Sequence, residues 1–165
     1  MPEQATLQRA RNQLRRGRAP STAAGEFVRE EMDHIREGKH GARSAKQAIA
    51  IGLSKARRAG VPLKPPTRGK PATKRAAARA YKAGQRHPGA APSRTRSRAT
   101  SKALRKEPHR AASHRALASQ AHTAAAHRRA GARSAAARQA ARTKDPALRK
   151  AAARKAAAAR KRRGA

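Results

Sequence analysis

Three kinds of residue in this sequence could do chemistry: seven histidines, eight carboxylates, and 43 lysines and arginines. Histidines bind metal when they are partnered by cysteines or spaced as H-E-x-x-H. The chain has no cysteine, which excludes a thiolate site and a disulfide framework, and it contains no H-E-x-x-H run. His109 and His114, and again His122 and His127, stand five residues apart, on different sides of a helix. They read as surface histidines among arginines, and no metal or cofactor is expected. Five of the eight acids, Glu26, Glu30, Glu31, Asp33 and Glu37, crowd one short segment. Glu26 and Glu30 are one helical turn apart, a spacing open to general acid–base work. No pocket is evident around them, so they read as a solvated helix face offsetting Arg29 and Arg36. The glycines form no phosphate loop of the G-x-x-x-x-G-K type. The chain is therefore expected not to be an enzyme and to take no small-molecule substrate.

What remains is the chemistry of cations with phosphate. The net charge is +35. Duplex DNA carries one charge per ~1.7 Å, and each lysine or arginine that meets a phosphate releases condensed counterions. If ~10 cations engage phosphates at once, log affinity falls with log salt at a slope near −9. The residues expected to make these contacts are Arg43, Lys46, Lys55, Arg57, Arg58, Lys74, Arg75, Arg94, Arg96 and Arg98, then Arg128, Arg129, Arg133, Arg138, Arg142, Arg149, Lys150, Arg154, Lys155, Arg160, Lys161, Arg162 and Arg163. Base reading should be minimal, because zinc-finger spacing, a heptad zipper and the aromatic pair of an RNA-binding sheet are all missing. With Phe27 and Tyr81 the only aromatics, single-strand stacking platforms are missing as well. The expected function is sequence-nonspecific nucleic-acid binding of a histone-like, architectural kind, with DNA ahead of RNA. An RNA- or ribosome-associated protein, or a protein-interaction adaptor localised by its basic segment, is the alternative.

The elements that position these cations follow from composition. Of the apolar residues only 16 are larger than alanine, and 12 of these fall in residues 1–63. Each such side chain stabilises by about 1.5–3 kcal/mol when buried, while ordering each residue costs about 1–2 kcal/mol. One globule of all 165 residues is therefore not expected. Charge divides the same way: residues 1–63 carry a net +7 and residues 64–165 a net +28. The fold class is mainly α, a small N-terminal helical module (a two- to three-helix hairpin) followed by a largely disordered or transiently helical basic tail.

In the module, a first helix from about Glu3 to Arg16 aligns Leu7, Ala10 and Leu14, and Gly17 ends it. A second, from Ala23 or Glu26 to Glu37, aligns Val28, Met32 and Ile35 beside Phe27 and stops at Gly38. A third opens with Ser44 and Gln47 as a capping box and closes at Gly60-Val61-Pro62. Its Ala48, Gly52 and Ala56 recur every four residues, a stripe on which another helix could approach closely. Residues 27–56 also offer a surface for a second copy or a protein partner.

The segment 25–60, GEFVREEMDHIREGKHGARSAKQAIAIGLSKARRAG, resembles a family of small basic bacterial proteins whose domain has no assigned function. The resemblance rests on Lys46-Gln47-Ala48-Ile49-Ala50-Ile51-Gly52-Leu53-Ser54 with the basic turn up to Gly60, and on the upstream Arg36-Glu37-Gly38-Lys39-His40-Gly41. It implies a bacterial cytoplasmic protein at the nucleoid, and it assigns no catalytic residue.

The chain is thus expected to divide into an N-terminal amphipathic helix (1–20), a helical hairpin module (21–63), a Pro/Gly/Ser/Arg-rich linker (64–101) and an Ala/Arg/Lys-rich tail (102–165). Within the linker, Thr73–Ala83 reads as a short helix ended by Gly84, and Pro88, Gly89, Pro92 and SRTRSRATS read as a break. No apolar run approaches the ~20 residues of a membrane span, and alanine-rich faces insert poorly at a membrane surface, so no membrane partner is expected.

Overall fold

The computed structural model describes residues 2–91 and 93–127, together with residues 132, 135, 137–139, 150, 151, 154 and 157. The protein is mainly helical, and no strand occurs among the described residues. In chain order the elements are α1 (Gln4–Arg15), α2 (Pro20–Arg36), α3 (Ala45–Arg58), α4 (Pro71–Arg86), α5 (Arg94–Arg105), a single 3-10 turn (His109–Ala112) and α6 (His114–Ala126). Residues 1–120 form one compact unit and residues 121–165 a second. In the second, the isolated described residues from 132 onward are helical and exposed.

Local chemistry sets the helix boundaries. Pro20 and Pro71 stand in the first turns of α2 and α4, where a missing N–H is not missed. Ser44 in extended conformation caps α3, its hydroxyl accepting from the Gln47 N–H at 3.2 Å. Gln47 reaches back one residue further than a capping box requires, accepting from the Arg43 N–H at 2.9 Å. α3 ends at Gly60, which takes the left-handed φ of +91°. The Gly60 N–H then donates to Arg57 O and the Val61 N–H to Ala56 O, both at 3.1 Å. This is a Schellman closure, and α2 finishes the same way at Gly38 and Lys39.

Alanine dominates the interior: among the described residues, 11 of the 15 buried apolar ones are alanines. Helices whose contact faces carry only methyl groups can bring their backbones close together. Where α2 crosses α3, Gly52 replaces even the methyl group, since a Cβ there would stand 2.7 Å from Val28 Cα and 3.0 Å from Phe27 O. One cluster joins α1, α2 and α3 through Ala10, Ala23, Ala24, Phe27, Ala56 and Val61, with Leu7, Leu14, Leu53 and Leu63 packed against it. A second sets Met32 and Ile35 of α2 and Ala48 of α3 against Ala42, Ala111 and Ala112, with Val28, Ile49 and Leu117 around them. The chain from 104 to 112 clasps the loop after α2: the Gly41 N–H donates to Leu104 O at 2.9 Å, the Ala42 N–H to Pro108 O at 3.0 Å, and Arg36 Nε to Ala112 O at 3.2 Å.

Five sequence expectations change here. The stretch 64–101, read as a linker, contains α4 and the start of α5. α4 runs through Gly84 rather than ending there, because Gly84 lies directly against the Arg57 carbonyl, where a Cβ would collide with it. SRTRSRATS, read as a break, is the first part of α5 behind Ser93, whose hydroxyl accepts from the Arg96 N–H at 3.4 Å. The segment 104–117, assigned to the tail, belongs to the core, because Ala111, Ala112 and Leu117 supply the wall that α2 and α3 lack. That wall and α1 also cover Phe27, Met32, Ile35 and Ala48, which takes them out of the partner surface expected at 27–56.

Candidate nucleic-acid interface

α4 is two-faced by spacing. Ala77, Ala80 and Gly84 are buried, and α4 packs on α3. Arg75, Arg79, Lys82 and Arg86 recur at i, i+4, i+7 and i+11 and are exposed. The turn after α4 folds back on the end of α3, where the Gly89 N–H donates to Arg58 O at 2.9 Å. This brings the start of α5 beside α3 and α4 and leaves a cleft of about 730 Å³ among them. Alanines 76, 80, 83, 90 and 91 form its apolar lining, and Arg58, Arg79, His87 and Arg96, with Ser54 and Ser93, supply its polar groups. No carboxylate lines it.

α5 buries nothing. Arg94, Arg98, Lys102 and Arg105 share one side of it at i, i+4, i+8 and i+11. Like charges at i, i+4 each oppose the helix by about 0.2–0.5 kcal/mol, so this face is relieved by a line of anions. α4 and α5 together carry ten lysines and arginines and no acid. Among the described residues none of the ten makes an ion pair, and all eight ion pairs lie within residues 3–55.

The acids are spent inside the N-terminal helices. Glu26 and Glu30 do not form the solvated face expected of them. Glu26 is half-buried against Arg9 at 3.1 Å, and Glu30 and Glu31 are buried. Glu31 stands 2.6 Å from Lys55 Nζ and 3.3 Å from His40 Nε2. Glu30 accepts from the Glu3 backbone N–H at 3.0 Å and lies 3.8 Å from His34 Nε2. His34 and His40 are largely buried, at 14% and 16% exposed. His34 Nε2 donates to Glu3 Oε1 at 3.0 Å, and this bond, with the nearby charge of Lys39, holds the Glu3 carboxyl below its usual value. Lys39 is pushed up, chiefly by its contact with Glu37 and then by Glu3.

The cations named from sequence separate accordingly. Arg43, Lys46, Arg58, Arg75, Arg94, Arg96 and Arg98 are exposed and Lys74 partly so, and Arg58 and Arg96 meet at the cleft. Arg138, Lys150 and Arg154 are exposed in the second unit. Arg128, Arg129, Arg133, Arg142, Arg149, Lys155, Arg160, Lys161, Arg162 and Arg163 lie outside the described residues. Two residues do not face solvent as expected. Lys55 is turned in to Glu31. Arg57 is 7% exposed, and its Nε and Nη2 donate to Leu63 O at 3.1 Å and Lys64 O at 3.4 Å. Burial lowers its pKa, yet a guanidinium remains charged at any physiological pH. The carbonyls after α3 therefore hold it in place of a phosphate. Sequence reasoning missed Arg79, Lys82, Arg86, Lys102 and Arg105 on the two helices, and His87. Arg79 was legible in the i, i+4 spacing from Arg75, whereas His87 is brought in only by the turn onto Arg58.

Comparison with known proteins finds no match to the chain, whether among family models, curated proteins or solved structures. No helix among the described residues is long and apolar enough to cross a membrane.

Proposed function

We propose that this protein binds nucleic acid without regard to sequence, and that the cleft between α3, α4 and the start of α5 seats the phosphate backbone. The observation that carries this reading is the segregation of charge: ten cations on α4 and α5, no acid on either helix, and no ion pair to any of them among the described residues. A face of this kind has few other uses, since unpaired cations repel one another until an anion arrives. The cleft adds positioning, with three arginines around small apolar side chains. Cations spread along two helices meet phosphates whatever the base sequence, which keeps the reading nonspecific.

In this proposal α1–α3 form the scaffold, with α2 and α3 as its central hairpin, and the cationic stretch after residue 127 extends the contact as a polycation. DNA at a bacterial nucleoid is the proposed setting, in keeping with the small basic bacterial proteins that residues 25–60 resemble. The test is fluorescence anisotropy of the full chain with two unrelated duplexes and one structured RNA, over a salt series. Wild type should bind both duplexes alike, with a steep salt slope. An Arg58→Ala, Arg79→Ala, Arg96→Ala triple variant should lose about 2.7 from that slope, at ~0.9 per phosphate contact. An unchanged slope removes the cleft from the interface. A strong preference for the RNA moves the protein to the ribosome-associated class.

A further inference from the structure

Two acids of α2, Glu30 and Glu31, are buried. Glu31 is among the four largest fully buried side chains of the unit, where an apolar residue would serve a small core better. Its two oxygens are sealed from solvent without a hydrogen bond, with Lys55 Nζ 2.6 Å and His40 Nε2 3.3 Å away. Glu30 Oε2 next to it is sealed as well and has no hydrogen-bond partner. Two imidazoles converge on these carboxylates. His34 follows Glu31 by three residues on α2, so both project from one face. His40 comes from the loop clasped by residues 104–108, and its ring lies edge-on to His34 with centroids 6.1 Å apart. Ligand-type atoms of Glu31, His34 and His40 all lie within 4.8 Å of one another.

We propose that Glu31, His34 and His40 form a binding site for a divalent transition-metal ion of the zinc class. Two imidazoles and one carboxylate are a zinc donor set. The orientation of the His40 ring suits coordination. Its Nδ1 faces the Gly41 carbonyl at 3.1 Å and donates to it, which leaves Nε2, on the Glu31 side, free to coordinate. Glu3 and Glu30, at the Nε2 of His34, are the outer carboxylates that such sites use to fix imidazole ligands. Without metal, the Lys55 ammonium supplies the positive charge that Glu31 requires. Lys55 is 26% exposed on a flexible stem, so it can swing to solvent when an ion takes its place. Bound metal would tie α2 to the loop at 39–42 and, through that loop, to the 104–112 clasp. It would thus act as a staple for a core built mainly of alanine.

The test is titration of chelator-treated full-length protein with Zn(II) by calorimetry and with Co(II) by visible absorption, beside His40→Gln and Lys55→Met variants. Wild type should bind one Zn(II) per chain, melt at a higher temperature with it, and give the visible bands of low-coordinate Co(II). His40→Gln should weaken binding at least tenfold. Lys55→Met, which removes the competing cation, should bind more tightly than wild type and recover with Zn(II) the melting temperature it loses without it. Binding that His40→Gln leaves unchanged, or a Lys55→Met protein that Zn(II) fails to restore, overturns the proposal and leaves Glu31 a buried ion pair. The Lys55→Met gain keeps the test decisive should His40→Gln fold poorly, since a purely structural role predicts no gain.

Discussion

Gly52 and Gly25 are both helical glycines, and replacing each with alanine separates propensity from packing. At Gly25 on α2 a new Cβ meets nothing within 4 Å. Gly25→Ala should therefore gain most of the ~1 kcal/mol by which alanine exceeds glycine in a helix. At Gly52 the new Cβ falls 2.7 Å from Val28 Cα and 3.0 Å from Phe27 O, where ordinary contact begins at 3.4 Å. The first two obstacles are backbone atoms of the facing helix, so no rotamer change relieves them, and α2 and α3 must part by more than half an ångström. Interiors resist such shifts, and overpacking of this kind costs about 1–3 kcal/mol. Gly52→Ala should thus lie about 1–3 kcal/mol below Gly25→Ala. At ~4 °C per kcal/mol for a unit of this size, that is a gap of roughly 4–12 °C in melting temperature. Thermal unfolding followed by circular dichroism reads it directly. If the two variants melt together, or Gly52→Ala melts above wild type, the close approach of α2 and α3 is wrong.

Two further outcomes follow from the electrostatics. Neighbouring arginines should behave oppositely: Arg57→Ala, which frees two carbonyls, costs about 2–3 kcal/mol of stability and leaves the salt slope of duplex binding alone, whereas Arg58→Ala lowers the slope by about 0.9 and leaves the melting temperature alone. If both variants lose slope equally, Arg57 reaches the nucleic acid and its interior bonds are misassigned. The lowered Glu3 pKa contributes stability that is present above the ordinary carboxylate range and is lost as pH falls through the lowered value. Glu3→Gln should therefore melt below wild type at neutral pH and converge with it as the pH falls well below the ordinary carboxylate range. A gap that persists unchanged however far the pH is lowered contradicts the role given to the His34 bond.

Helix ends and helix faces were legible in the sequence. Ser44, Gly38 and Gly60 are local signals, and each acts within one or two turns of its own position. The Ala48-Gly52-Ala56 stripe was legible too, because four-residue recurrence of small side chains has a direct geometric meaning. The size of the folded unit was not. Counting only side chains larger than alanine placed the core in residues 1–63, yet Ala77, Ala80, Ala111 and Ala112 are buried too. A methyl group carries little burial energy alone, and its effect lies in the backbone contact it permits, which no residue count registers. Gly84 misled for the same reason: a glycine near a helix end and a glycine under a crossing carbonyl look alike in one dimension. Among the functional residues, the basic character of α4 and α5 followed from composition, though only Lys74, Arg75, Arg94, Arg96 and Arg98 of their ten cations were named. Lys55, Arg57, His34 and His40 did not, because their partners Glu31, Leu63 and Glu3 lie 24, 6 and 31 residues from Lys55, Arg57 and His34 respectively, and His40 meets Glu31 only across the turn at Gly38.

The clasp has a consequence for the growing chain. Ala42 must wait for Pro108 and Ala112, some 70 residues later in synthesis. At about 5–20 residues per second that wait lasts roughly 4–14 s. Throughout it α1–α3 can pair, but Met32, Ile35 and Ala48 face water on the side that Ala111 and Ala112 later cover. The nascent protein therefore passes through a stage with finished helices and one wall missing, and a ribosome stalled before residue 111 would hold it there.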